Sequence, residues 1–85
     1  MTNNKVLVEI YVPASGECFD VYIPLESRVS EVLRLTAAII TDLSDGVFIS
    51  NKDTVLCDAE TGNVYDVNIA VAELGIKNGS RLMLI

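Results

Sequence analysis

An 85-residue chain that is 51% hydrophobic and 21% charged has material for one packed core, too little for two, and does not resemble a disordered tail. Its net charge of −6, with Lys5, Arg28, Arg34, Lys52, Lys77 and Arg81 scattered, leaves no basic stripe to neutralise phosphates, so no nucleic-acid partner is expected. Membrane insertion is not expected either, since no stretch approaches the roughly 20 apolar residues of a spanning helix, and Met1-Thr2-Asn3-Asn4 lacks the charged start and apolar run of a secretory signal, so the expected compartment is the cytosol.

Lys5 to Val12 alternates. Val6, Val8, Ile10 and Val12 share one face, and Lys5, Leu7, Glu9 and Tyr11 share the other, which predicts a half-buried first strand. Pro13-Ala14-Ser15-Gly16-Glu17 interrupts it with turn residues. A second strand resumes with Phe19, Val21 and Ile23 against Asp20 and Tyr22, and Pro24 closes the hairpin. From Val29 the period changes to steps of three and four, through Val32, Leu33, Thr36, Ile40 and Leu43, which predicts one long helix. Ser27 is the expected N-cap, Glu31 suits the positive end of the helix dipole, and Gly46 is the expected terminator.

Val47-Phe48-Ile49 is too short to classify, and Ser50-Asn51-Lys52-Asp53 has loop composition. Thr54 to Asp58 predicts a third strand, Glu60-Thr61-Gly62-Asn63 a turn, and Val64-Tyr65-Asp66 a short fourth strand pairing back. Asn68 is placed to cap a helical turn over Ile69-Ala70-Val71-Ala72-Glu73-Leu74, ended by Gly75. Lys77-Asn78-Gly79-Ser80 is turn chemistry before a fifth strand, Arg81 to Ile85. The chain therefore reads as one α+β domain over residues 1–85, with a helix across a mixed five-stranded sheet.

Little in the sequence supports catalysis. It has no histidine, which removes Ser-His and Cys-His activation and His-containing zinc sites. The carboxylate pairs Asp42/Asp45 and Asp58/Glu60 read as solvated loop charges. Asp58-Ala59-Glu60-Thr61-Gly62-Asn63 lacks the further acidic ligands of a calcium loop. Asn78-Gly79-Ser80 has the form of a glycosylation sequon, but a tight turn accounts for it. Cys18 and Cys57, without close spacing, read as two packed thiols in preference to a disulfide. The expectation is a non-enzyme with no cofactor and no metal.

The order of elements, and above all the ending Leu74-Gly75-Ile76-Lys77-Asn78-Gly79-Ser80-Arg81-Leu82-Met83-Leu84-Ile85, resembles ubiquitin-like (β-grasp) domains over nearly the whole chain. The Asn51-Lys52-Asp53 loop, the Leu-Gly-Ile-Lys-Asn-Gly-Ser-Arg-Leu segment and the apolar last strand are similar to the YukD/EsaB family, small cytosolic ubiquitin-like proteins associated with type VII secretion in Gram-positive bacteria. The resemblance implies that the first and last strands are parallel central neighbours with the helix on one face. The expected core is then Val6, Val8, Ile10, Phe19, Val21, Ile23, Val55, Leu82 and Leu84 against Val29, Val32, Leu33, Thr36 and Ile40.

Alternation then sends Leu7, Tyr11, Tyr22, Leu56, Met83 and Ile85 to the opposite face, where Leu7, Leu56, Met83 and Ile85 would adjoin, rimmed by Glu9, Asp20 and Arg81. The resemblance adds that ubiquitin is recognised through an apolar patch on this face, with Leu56 and Ile85 at the matching strand positions. Conjugation in that family needs a flexible Gly-Gly tail, whereas Leu84-Ile85 is apolar strand. Three functions are therefore expected in order: a noncovalent adaptor or regulatory component of a type VII secretion machine, a carrier or modifier with a Gly-Gly tail beyond Ile85, and a small stabilising subunit of another complex.

Overall fold

The computed structural model describes residues 4–44 and 53–85. Gly46 as helix terminator, the unclassified 47–49 stretch and all of the 50–53 loop except Asp53 lie outside the described residues. Within them the chain forms β1 (Lys5–Val12), β2 (Glu17–Pro24), α1 (Val29–Leu43), β3 (Leu56–Asp58), a short 3-10 turn (Val71–Leu74) and β4 (Arg81–Leu84).

The hairpin forms because β1 and β2 have matched length and alternation. They pair antiparallel from Lys5 opposite Pro24 to Val12 opposite Glu17. β4 then lies parallel to β1, with Glu9 beside Arg81, Ile10 beside Leu82 and Tyr11 beside Met83. β3 pairs antiparallel with β4, Leu56 facing Leu84 and Cys57 facing Met83. The sheet order is β2-β1-β4-β3, so the first and last strands are the central pair, and β2 and β3 are the edges.

The expected fourth strand at 64–66 is reduced to an isolated bridge between Val64 and Cys57, leaving four strands among the described residues. The cause is local. Asp58 Oδ1 accepts the Glu60 and Thr61 N–H groups at 2.8 and 3.4 Å, which turns the chain tightly. Asp66 Oδ1 accepts the Asn68 N–H at 2.9 Å, which turns it away again. Between those two turns the bridge keeps two backbone bonds, Tyr65 N–H to the Leu56 carbonyl at 3.0 Å and Asp58 N–H to the Asn63 carbonyl at 2.9 Å, and extends no further.

The helix begins differently from the expected Ser27 cap. Arg28 is the N-cap, and the first orphan N–H groups are met by a remote segment: Val29 donates to the Ile69 carbonyl at 2.9 Å and Ser30 to the Val67 carbonyl at 3.0 Å. Glu31 adds a reach back to the Arg28 N–H at 3.4 Å. Ser27 contributes its carbonyl instead, accepting the Val71 N–H at 2.9 Å. Asn68 likewise caps nothing helical. The 3-10 turn starts after Ala70 and ends at Gly75, whose φ of 73° is the left-handed geometry that glycine takes without strain.

One core joins the inner faces. Val6, Val8, Ile10, Val12, Val21 and Ile23 of the hairpin, with Leu82 and Leu84, meet Val29, Val32, Ala37 and Ile40 of α1, and Val71 and Ile76 close the end. Thr36 is buried too, its hydroxyl donating to the Val32 carbonyl at 2.8 Å, so that hydroxyl is not stranded. Phe19 and Leu33, expected inside, are partly buried against this core, and Leu43 is exposed.

Strand β3 departs from expectation by one residue. Leu56 is 1% exposed and opposite inward-facing Leu84, while Val55 exchanges backbone hydrogen bonds with Ile85 and shares its outward face. Val-Leu-Cys is apolar throughout, so either parity satisfied the alternation, and a one-residue slip exchanges the faces.

Candidate protein-binding face

The outer face of the sheet is built in rows, because paired strands place directly opposite residues on the same side. One row is Tyr22 and Leu7, with Leu7 accepting from the Gly79 N–H at 2.9 Å and donating to Asn78 Oδ1 at 2.8 Å. The next is Asp20, Glu9 and Arg81. Beyond it lie Cys18, Tyr11, Met83 and Cys57, and then Ile85 with Val55.

Of the six residues expected to form one apolar patch, five face outward. Tyr22 is 62% exposed, Ile85 49% and Tyr11 38%, with Leu7 and Met83 half-buried. Leu56 does not join them, for the reason of parity given above.

The five also fail to form a single patch. Leu7 was expected beside Met83 and Ile85, but the parallel register puts Met83 beside Tyr11. Leu7 and Tyr11 are separated by four residues of extended chain, about 13 Å at the usual rise. The charged row of Asp20, Glu9 and Arg81 runs between the two apolar ends and does not merely rim them.

Three residues of this face, Cys18, Val55 and Cys57, escaped the expected set. Cys18 is exposed, not packed, and its parity with Asp20 and Tyr22 was the available signal. Val55 carried none, since the run it opens with Leu56 and Cys57 is apolar and holds no charge to set the phase. Cys57 is buried, its thiol 3.5 Å from the Met83 carbonyl.

The electrostatics favour neutral thiols. Burial pushes the Cys57 thiol up, with Asp58 adding to it, and Tyr65 is raised by desolvation, then Asp58 and Cys57. Cys18 is raised by desolvation of the thiol, then by its hydrogen bond to Glu9 and the Glu9 charge. Arg81 Nε stands 3.7 Å from Glu9 Oε1, an exposed pair of small energetic weight.

A groove of about 250 Å³ opens beside Tyr65 and the 74–81 loop, and one of about 350 Å³ lies between Pro24 and the first turns of α1. A third, about 260 Å³, sits on the outer face against Glu9, Tyr11, Cys18, Ala59, Glu60, Arg81 and Leu82. Among the described residues no three His, Cys, Asp or Glu side chains converge as metal ligands. No helix among them is long and apolar enough to cross a membrane.

No protein-family model matches the chain, and no curated protein matches it. Solved structures do. A chain of the MycP5-free ESX-5 inner membrane complex superposes with a TM-score of 0.80 at 15% identity, covering 98% of this chain, which spans 21% of that longer one. The ubiquitin-like domain of the Mycobacterium tuberculosis type VII secretion system protein EccD1 gives 0.76 at 14% identity, covering 95% of this chain and 97% of that one. A chain of the toluene 4-monooxygenase HD complex gives 0.75 at 10% identity, covering 94% and 95%. With its mixed sheet and single long helix, the chain has the β-grasp, ubiquitin-like fold.

Proposed function

We propose that this protein is a noncovalent ubiquitin-like binding module without catalytic activity, a cytosolic accessory or regulatory component of a type VII secretion system of the YukD/EsaB kind in a Gram-positive bacterium. The observation that carries the docking part is the outer face, where Tyr11 and Ile85 remain 38% and 49% exposed on hydrogen-bonded backbone while the inner side of the sheet holds the core. The secretion part draws support from the likeness to the ESX-5 and EccD1 chains, which belong to such machines.

The test is complementation in a Gram-positive host carrying the system. Deleting the gene should lower export of the system's substrates, wild type should restore it, and Met83→Asp with Ile85→Asp should not, although that variant keeps the circular dichroism of the wild type. Export unaffected by deletion would sink the secretion role, and full rescue by the double variant would sink this face as the docking surface.

The likeness to the toluene 4-monooxygenase chain favours a second reading, a small stabilising subunit of another complex. A gene placed in an oxygenase operon, away from any secretion ATPase, would select it.

A further inference from the structure

We propose that the groove beside Tyr11 receives a segment of a partner protein that carries a lysine or arginine next to a bulky apolar side chain. This rests on reading the outer face as a docking surface, and it specifies the chemistry of what docks there.

The groove is lined by the largely apolar Tyr11, Cys18, Ala59 and Leu82 together with the carboxylates of Glu9 and Glu60. Asp20 stands directly across the β1–β2 pair from Glu9. Like charges placed opposite each other on an antiparallel pair repel, and among the described residues Arg81 is the cation that lines the groove near these three carboxylates. Arg81 relieves this only in part. Its contact with Glu9 is 3.7 Å long, and the two side chains are 62% and 38% exposed, so both keep much of their hydration and Glu9 can still accept another donor.

A cation arriving between Glu9 and Asp20 gains from both and offsets their repulsion. Its apolar neighbour covers the exposed part of Tyr11, whose ring can also carry an arginine on its face. An acidic segment would set a further carboxylate against Glu9, Asp20 and Glu60. The chain's net charge of −6 opposes a phosphate backbone or an anionic lipid surface in the same way.

The experiment titrates the isotope-labelled full chain with capped hexapeptides whose cores are Leu-Lys-Leu, Leu-Gln-Leu or Leu-Glu-Leu, followed by backbone amide shifts. The lysine peptide should move the signals of Tyr11, Cys18, Glu60 and Arg81. Its affinity should exceed that of the glutamine peptide by roughly fivefold, an advantage that shrinks as salt rises. Glu9→Gln with Asp20→Asn should bind the lysine and glutamine peptides alike, and Glu60→Gln offers the same comparison should the double variant fold poorly.

Equal binding of the lysine and glutamate peptides would overturn the charge preference while leaving the outer face as a docking surface. Shifts confined to the helix around Leu35 and Leu43, or no shifts at all, would overturn the groove as the site. The complementation with Met83 and Ile85 judges the docking face independently of either result.

Discussion

The two faces of the same sheet are made from neighbouring residues of the same strands and meet opposite fates. On the inner face Ile10, Leu82, Leu84 and Leu56 are buried in the core that α1 shares. On the outer face Glu9, Tyr11, Arg81 and Ile85 remain in water, one residue away in sequence. The contrast teaches that a strand's parity decides function here more than its composition. Both faces contain large apolar side chains, but the charged row of Asp20, Glu9 and Arg81 and the exposed rings of Tyr11 and Tyr22 lie on the outer one.

The sharpest way to break this comparison is to place the same substitution on each side of β3 and β4. Leu56→Asp should lose on the order of 3–5 kcal/mol or unfold the domain, because it leaves an unpaired carboxylate in the core. Ile85→Asp should stay within about 0.5 kcal/mol of wild type. Urea titration of the two variants decides the assignment, and equal losses would mean that the parity of β3 is reversed. On β4 alone, Leu82→Ala should cost about 2–5 kcal/mol and Met83→Ala below about 1 kcal/mol, read by the same titration.

A subtler contrast is between side-chain and backbone control. Gly75 has no atom within 4 Å of where a Cβ would stand, yet its φ is +73°. Gly75→Ala should therefore cost about 1 kcal/mol in thermal unfolding through backbone strain alone. On the outer face, Asp20→Lys should stabilise by roughly 0.2–1 kcal/mol, since it turns a repulsive pair with Glu9 into an attractive one. It should also abolish the preference for a basic peptide.

The smallest effect is with pH. Cys57 and Tyr65 have folded values above their ordinary 9.0 and 10.0, so the protonated forms belong to the native state. Their contribution is complete below about pH 9 and is lost as pH rises through the folded values. The urea midpoint should fall in that alkaline range, and Cys57→Ala should remove the first part of the fall.

Of the site, β1 and β2 were readable because charged or polar residues mark their phase: Lys5, Glu9 and Asp20 are outward, and each apolar neighbour is inward. Around β3 the run Val55-Leu56-Cys57 is apolar and the charge that follows, Asp58, shares the parity of buried Leu56, so the assignment of Leu56 to the outer face was wrong by one residue. The supposed contact between Leu7 and Met83 failed for a different reason. Alternation gives a face, but the sliding of β4 along β1 is a property of two strands separated by most of the chain.

What the sequence determined by itself is the set of local periods: the hairpin, the helix at Val29–Leu43, the last strand and the glycine after Leu74. These follow from side chains and turn residues within a few positions of one another. The tertiary structure alone decided which carbonyls cap the helix, since those of Val67 and Ile69 arrive from nearly forty residues away. It alone decided that Tyr11 stands beside Met83, and that a row of charge divides the outer face. Those features depend on register between distant strands, and only the packing of the finished core selects one register over its neighbours.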